Sequence, residues 1–154
     1  MATAPTIHAS CVLVGAGAVL IRGPAGAGKS RLALELLMAA EGGRLRFARL
    51  VADDRTHVEA VHGRLLARPP ATLAGLLEVR GQGLRRLPYE PAAVVSLVVD
   101  LAAAADRLPL PGSRHTQIEG ISLPRLAIAA DQDALLAVMA ALATAEAYES
   151  AAAR

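Results

Sequence analysis

The sequence predicts an α/β domain with a mixed, strand-rich sheet, and three observations support this class. Short runs rich in β-branched residues are more numerous than segments with helical spacing, of which there are two. A glycine-rich segment separates an early strand from the first helix. The order of these runs does not follow strict β-α-β alternation, so we expect parallel and antiparallel strand pairs in one sheet.

Two strands and a helix are predicted first. Residues 7–14 and 18–21 are short apolar runs that predict two strands joined by a tight turn at their glycines. Residues 31–40 carry leucines at helical spacing, and the glycine pair at 42–43 ends that helix. Further strands are predicted, in chain order, at residues 47–52, 58–61, 64–67, 76–80, 93–101 and 121–128.

The last third of the chain predicts a buried strand, a loop and a second helix. Residues 93–101 are almost uninterrupted in hydrophobicity, so we expect this strand to be buried on both faces. Residues 106–120 contain two prolines, two glycines and scattered polar groups, which predict a mobile surface loop. A helix follows with Asp131 as its N-cap, and residues 147–154 are predicted to fray.

Length and composition exclude several classes of function. The 154 residues predict a single domain over residues 1–154, and an apolar content of 54% with a mean hydropathy of +0.41 supplies its core. Aromatic residues make up 2% of the chain, too few for a platform on which nucleic-acid bases stack. The net charge of +2 does not favour a polyanionic partner. We therefore expect no binding to nucleic acid.

A disulfide, a zinc site and a membrane span are not expected either. Cys11 is the single cysteine, and the four histidines show no H-E-x-x-H or comparable spacing. No apolar run reaches the roughly 20 residues that a membrane span requires. The sequence therefore predicts a cytoplasmic protein with no membrane contact.

A glycine-rich segment carries the strongest functional signal. Residues 23–30 match G-x-x-x-x-G-K-[ST] in full, and they lie between a predicted strand and a predicted helix, as this phosphate-binding motif requires. Backbone N–H groups of such a loop hold phosphate oxygens, the lysine reaches the outer phosphates, and the serine hydroxyl binds Mg²⁺. The segment predicts a P-loop domain that binds a nucleoside triphosphate with Mg²⁺ through Gly23, Pro24, Ala25, Gly26, Ala27, Gly28, Lys29 and Ser30.

The choice of lysine within this segment supports the same interpretation. Lys29 is the only lysine among the sixteen basic residues of the chain, and the other fifteen are arginines. The compact, flexible ammonium group suits a phosphate site that the planar guanidinium fork cannot serve in the same way.

Charged side chains are predicted at the ends of two other strands. Asp53 and Asp54 follow residues 47–52, where one carboxylate is suited to hold a metal's water shell and the other to accept a proton. Glu78 and Arg80 lie two residues apart on a predicted strand and so share a face. The glycines at 81 and 83 are expected to allow close approach of another part of the backbone.

Together these segments resemble the catalytic domain of HPr kinase/phosphorylase, the bacterial enzyme that phosphorylates a serine of the phosphocarrier protein HPr. The similarity is carried by an ordered set of segments that covers roughly residues 7–101 and is weaker to about residue 128. The resemblance implies a P-loop α/β fold similar to that of phosphoenolpyruvate carboxykinase. The set consists of His8 in a strand, the 23–30 motif, Leu-Val-Ala-Asp-Asp at 50–54, and Leu-Leu-Glu-Val-Arg-Gly-Gln-Gly-Leu at 76–84.

The resemblance also implies a role for each candidate residue. Lys29 contacts the terminal phosphates of ATP, and Ser30 and Glu78 hold Mg²⁺. Asp54 accepts the proton of the substrate serine and returns it when the reaction runs backward. The candidate catalytic group is completed by His8, Asp53 and Arg80.

The sequence departs from the longer members of that family at both ends. We expect it to lack their N-terminal regulatory domain, since His8 lies almost at the start, and it resembles the short, alphaproteobacterial-type form. Beyond residue 128 there is no counterpart of their Pro-x-Gly-Arg-Asn stretch or of the C-terminal segment linked to dephosphorylation; Arg114 and Arg125 are the candidate replacements. Kinase activity is therefore expected more firmly than phosphate-dependent dephosphorylation. Longer members of the family form hexamers, so the resemblance leaves open whether this protein forms a homo-oligomer.

Two other functions stay open. A small-metabolite kinase of the shikimate or gluconate type also uses a short P-loop domain, although such enzymes carry helices between successive parallel strands. A nucleotide-dependent binding module without turnover would keep the 23–30 motif and lack the catalytic arginine.

Overall fold

The computed structural model describes residues 5–104 and 110–144 and confirms the α/β class with a mixed, strand-rich sheet. Its α-helices are α1 (Lys29–Glu41) and α2 (Ala134–Ala143), and short 3₁₀ turns occur at Ala71–Leu73 and Pro111–Arg114. The strands are β1 (Thr6–Val14), β2 (Gly17–Arg22), β3 (Ala48–Ala52), β4 (Arg55–Val61), β5 (Arg64–Arg68), β6 (Leu76–Val79), β7 (Gly83–Arg86), β8 (Ala93–Leu101), β9 (His115–Ile118) and β10 (Ile121–Ile128).

Eight of these strands form one mixed sheet. β2 and β10 each pair with β8 in parallel, and β9 extends the sheet beyond β10 in the antiparallel sense. β1 pairs with β2, β3 and β4 in the antiparallel sense, and β4 continues through β5 back to β8. The pairings therefore close a path from β2 through β1, β4, β5 and β8 back to β2. β6 and β7 form a separate hairpin.

The strands at the centre of the sheet are buried on both faces. In β2, Leu20 packs into a cluster with residues of β4, β5 and β8, while its neighbours Val19 and Ile21 pack against α1 and α2. β8 alternates in the same way, with Val98 in the first cluster and Val99 in the second. This arrangement explains the nearly continuous hydrophobicity of residues 93–101, as predicted.

The first helix covers one face of the sheet as its leucine spacing predicts. Leu32 and Leu36 are buried against the strands. The helix starts after Gly28, whose φ of 98° lies in the left-handed region, and the glycines at 42 and 43 follow its end. At Gly43 the φ is 77°, which favours glycine in a helix C-terminal turn.

Two predictions about local structure are wrong, and one strand was missed. Residues 115–118 of the predicted mobile loop form β9, and residues 106–109 lie outside the described part of the chain, as does the predicted frayed tail at 147–154. The strand β7 was not predicted, because Gly83–Arg86 carries no apolar alternation and all four of its residues are exposed. The N-cap of α2 is Asp133 rather than Asp131, since the Asp133 carboxylate accepts a hydrogen bond from the Leu136 N–H at 3.1 Å.

The single cysteine lies inside the sheet. Burial raises the pKa of the Cys11 thiol to about 12, so the thiol stays neutral and acts as a small apolar side chain. Among the described residues, no helix has the length and the apolar character needed to cross a bilayer.

Candidate active site

The candidate site lies where several strand ends meet. β2, β8 and β10 are parallel, so their carboxyl ends share one edge of the sheet. β3 runs in the same direction as β2, because both are antiparallel to β1, and the amino end of β1 therefore lies at that edge as well. Ligand sites of open α/β sheets commonly occur at the carboxyl ends of their parallel strands.

The glycine-rich loop, residues 23–30, connects β2 to α1 and folds around its own lysine. The Lys29 Nζ donates hydrogen bonds to the Gly23 carbonyl at 2.7 Å and to the Pro24 carbonyl at 3.1 Å. Gly26 and Gly28 have φ angles of 80° and 98°, a region that L side chains rarely adopt. The backbone of the loop thus requires glycine at positions 26 and 28, and Lys29 is held at the base of the loop, 7% exposed.

Asp53 is the centre of a buried hydrogen-bond network beside this loop. Its Oδ1 accepts from the Ser30 hydroxyl at 2.8 Å and from the Ser10 hydroxyl at 2.7 Å. Its Oδ2 accepts from the backbone N–H of Glu78 at 3.2 Å. Asp53 is 5% exposed, so the carboxylate links β1, the start of α1 and β6 rather than facing solvent.

Asp54 points in a different direction. Its Oδ1 lies 2.9 Å from His8 Nε2, and both side chains are substantially exposed, at 65% and 42%. The Arg55 N–H donates to the Asp53 carbonyl at 2.8 Å, and Asp54, between them, has a φ of 68°. This three-residue turn separates the two neighbouring carboxylates, so Asp53 is buried and Asp54 faces outward.

The hairpin of β6 and β7 supplies Glu78 and Arg80. Glu78 is exposed on β6 and Arg80 lies just beyond the strand end, and both line the same cleft. The close backbone approach predicted at glycines 81 and 83 is wrong, because a Cβ at either position would meet nothing within 4 Å. Their φ angles of 82° and 84° require glycine instead. The close approach occurs at Gly75, where a Cβ would lie 2.9 Å from the Tyr89 ring.

A single cleft of about 1080 Å³ joins these elements. Most of the predicted site residues line it, whereas Gly23, Pro24 and Asp53 contact it through Lys29 and Ser30. The predicted site residues that line the cleft are His8, Ala25, Gly26, Ala27, Gly28, Lys29, Ser30, Asp54, Glu78 and Arg80.

The sequence interpretation missed one wall of the cleft. Residues 130–134, which follow β10 and include the first residue of α2, line the side formed by the carboxyl end of the last parallel strand. Their position after a predicted strand was the available signal, because the carboxyl ends of parallel strands share an edge. Ser10 was missed as well, since a serine within an apolar strand carries no motif.

An ion-pair cluster joins the strand ends beside the loop. The Arg22 guanidinium donates to the two Asp100 oxygens at 2.7 and 2.9 Å, and Arg125 Nε donates to Asp100 Oδ2. Burial alone raises the pKa of Asp100, but hydrogen bonds from Arg22 and Arg125 outweigh this effect and hold it below its ordinary value of 3.8. Neither Arg125 nor Arg114 lines the cleft, so neither occupies the place expected for a replacement cation.

The oxygen groups near the loop fit Mg²⁺. Ser30 and Glu78 provide a hydroxyl and a carboxylate at the cleft. The buried Asp53 carboxylate accepts hydrogen bonds from the Ser30 hydroxyl and from the backbone N–H of Glu78. Mg²⁺ favours such oxygen ligands and is commonly held by one or two carboxylates together with substrate phosphates. In the described part of the chain, no cluster of three or more His, Cys, Asp or Glu side chains forms a complete metal cage.

Comparison with known proteins identifies the family. Residues 1–152 match the family model described as HPr Serine kinase C-terminal domain, and the chain belongs to this family. The HPr kinase/phosphorylase of Clostridium tetani is 39% identical over 82 residues, which cover 53% of this chain and 25% of that protein. The corresponding Clostridium beijerinckii protein is 40% identical over 78 residues, 51% of this chain and 24% of that protein. The matched part thus spans about a quarter of these relatives.

A solved structure shares the fold. The Hpr(Ser) kinase/phosphatase from Coxiella burnetii superposes with a TM-score of 0.72, over 90% of this chain and 94% of that chain, at 24% sequence identity. This similarity supports the arrangement of strands and helices described above.

Proposed function

We propose that this protein is an ATP-dependent kinase that phosphorylates a serine of an HPr-type phosphocarrier protein. Membership in the HPr serine kinase C-terminal domain family supports this reaction class. The observation that carries the proposal is that Lys29, Ser30, Asp54 and Glu78 line one cleft. The glycine-rich loop between β2 and α1 supports a P-loop domain. We propose that its fold is of the phosphoenolpyruvate carboxykinase type, as the family resemblance implies.

Each side chain has a distinct task in the proposed transfer. The Lys29 ammonium leaves the Gly23 and Pro24 carbonyls and contacts the outer phosphates of ATP. Asp54 accepts the proton of the seryl hydroxyl as the serine oxygen bonds to the γ-phosphorus and the bond to the β–γ bridging oxygen breaks. The products are phosphoserine and ADP. His8 orients the Asp54 carboxylate through its hydrogen bond.

Ser30 and Glu78 would hold Mg²⁺ in this proposal. When bound, the cation neutralises negative charge on the phosphate oxygens. Asp53 keeps the Ser30 hydroxyl in place, and Arg80 adds a positive charge beside Glu78 at the cleft wall. Most of the rate enhancement is then expected from positioning and charge neutralisation.

The proposal is tested by phosphate transfer from γ-labelled ATP to purified HPr. Lys29→Ala and Asp54→Asn should each reduce the transfer rate by at least about a hundredfold, because a phosphate-binding cation or a proton acceptor is lost. Glu59→Gln is the matched control, since Glu59 is a half-exposed carboxylate that pairs with Arg68 and does not line the cleft. Transfer at the wild-type rate in both cleft variants would overturn the assignment.

The same assay separates the alternative functions. Labelling of hydroxylated metabolites instead of HPr would identify a small-metabolite kinase, although the β4–β5 and β9–β10 hairpins do not match its helix-linked parallel strands. ATP-dependent binding of HPr without transfer would identify a binding module. Formation of pyrophosphate and unmodified HPr from phosphoseryl-HPr and inorganic phosphate would add the phosphate-dependent dephosphorylation, in which Asp54 returns the proton to the serine oxygen.

A further inference from the structure

Ser10 is a fully buried hydroxyl in the middle of β1. Its neighbours Ala9, Cys11 and Val12 are apolar and are also 0% exposed. Burying a hydroxyl without a partner is costly, and the Ser10 hydroxyl satisfies its donor by bonding to Asp53 Oδ1 at 2.7 Å. This contact joins β1 to the end of β3 across 43 residues of sequence.

The hydrogen bonds around Asp53 determine how the Ser30 hydroxyl is oriented. Ser10 and Ser30 donate to the same oxygen, while the Glu78 N–H donates to the other, so three donors define the rotation of one carboxylate. A hydroxyl has one proton and two lone pairs. Because the Ser30 proton is directed at Asp53, the lone pairs of Ser30, which lines the cleft, are left for a cation.

We propose that Ser10 is a positioning residue for the cation site: it holds the Asp53 carboxylate in the rotamer that presents the Ser30 oxygen to Mg²⁺. The inference rests on the proposed function, since it concerns the same nucleotide site. Ser10 does not line the cleft, and it acts through Asp53 alone. Removing a group that is hydrogen-bonded to a metal ligand commonly changes metal affinity by about tenfold to a hundredfold, and Ser10, one hydrogen bond further from the metal, is expected at the lower end of this range.

The test is the Mg²⁺ dependence of ATP binding, measured by calorimetry over a series of magnesium concentrations. Ser10→Ala should raise the magnesium concentration at half-maximal ATP binding by about tenfold, with binding restored at saturating magnesium. In the transfer assay the same variant should raise the KM for Mg·ATP more than it lowers kcat. Ser10→Thr, which keeps the hydroxyl, should return the magnesium dependence toward the wild-type value.

Thr56→Val is the matched control. Thr56 is also 0% exposed, but its hydroxyl donates to the Ala9 carbonyl at 2.8 Å and does not contact Asp53. An unchanged magnesium dependence in this variant supports the inference, and a shift equal to that of Ser10→Ala overturns it. Ser10→Cys, nearly the same size with a weak donor, replaces Ser10→Ala if the alanine variant does not fold.

Two negative results are distinguishable. Wild-type magnesium dependence in folded Ser10→Ala overturns the role of Ser10 and leaves the proposed kinase intact. Failure of the wild-type protein to bind ATP at any magnesium concentration overturns the proposed function, and this inference with it.

Discussion

Asp54 combines an exposed carboxylate with a backbone conformation that few residues adopt. Its φ of 68° lies in the left-handed region, which costs most L-residues about 1–2 kcal/mol and is tolerated best by Gly, Asn and Asp. The turn directs Asp53 into the protein and Asp54 into the cleft. Residues held in sparsely populated conformations often occur at functional sites, and the position of Asp54 beside His8 agrees with that pattern.

Substitutions at Asp54 should separate backbone strain from chemistry. We expect Asp54→Ala to be less stable than Asp54→Gly by about 1 kcal/mol, because alanine disfavours a positive φ. Asp54→Asn should unfold close to the wild type, since asparagine tolerates this conformation, while phosphate transfer is lost. Urea denaturation of the three variants measures the order. Equal free energies of unfolding for Asp54→Ala and Asp54→Gly would show that the positive φ at residue 54 does not strain the backbone.

At the scale of elements, the ion-pair cluster of Arg22, Asp100 and Arg125 restrains the start of the glycine-rich loop. Arg22 is the last residue of β2 and immediately precedes Gly23, while Arg125 lies on β10 and Asp100 on β8. The two arginines therefore tie three strands together through one carboxylate. Because the loop begins at the end of β2, this cluster limits the movement of its first residues.

The stabilising effect of this cluster should depend on pH. The hydrogen bonds keep the pKa of Asp100 below its ordinary value of 3.8, so the carboxylate stabilises the fold above that pH. Asp100→Asn should reduce the free energy of unfolding by about 2 kcal/mol near neutrality.

This stabilisation is lost as the pH falls through the folded-state pKa, which lies below 3.8, so the difference between wild type and Asp100→Asn should shrink as the pH is lowered below 3.8. Urea denaturation of both proteins near neutrality and below pH 3.8 measures this difference. If the difference in unfolding free energy between wild type and Asp100→Asn stays constant or grows on acidification, the ion pairs of Asp100 are not the source of the stabilisation.

At the scale of the whole molecule, two apolar clusters share the central strands. One cluster is enclosed by the closed path of strands, and the other joins the sheet to α1 and α2. The cleft lies where the second cluster ends, between the start of α1 and the segment before α2. Helix packing therefore supports both the core and the walls of the site.

Two leucines on the helices should contribute unequally to this core. Leu36 of α1 is 0% exposed, and Leu36→Ala should reduce the free energy of unfolding by about 2–5 kcal/mol through lost burial and a cavity. Leu136 of α2 is 63% exposed, so Leu136→Ala should stay within about 0.5 kcal/mol of the wild type. Thermal or chemical unfolding compares the pair. A large loss at Leu136 would mean that α2 is buried more deeply than described.

The elements with a strong local pattern were predicted well. The β1–β2 pair, α1, the β4–β5 hairpin, β8 and β10 all lie where apolar runs and glycines place them, within a few residues at their ends. β7 and β9 were missed, because both are four-residue strands without an apolar alternation: all residues of β7 are exposed, and in β9 only Ile118 is buried. The wall at residues 130–134 was missed as well, because Asp131 was interpreted as the N-cap of a helix and not as part of a site.

The sequence by itself determined the class of fold, the glycine-rich loop and the residue types at the site, since these depend on spacing and backbone preference over a few positions. Only the tertiary structure decided that Asp53 is buried and Asp54 exposed, and that Ser10 bonds to a carboxylate 43 residues away. Such contacts depend on how strands pair and pack, which local spacing does not encode. Because of this packing, Asp53 holds the Ser30 hydroxyl from within the protein, whereas Asp54 faces the cleft.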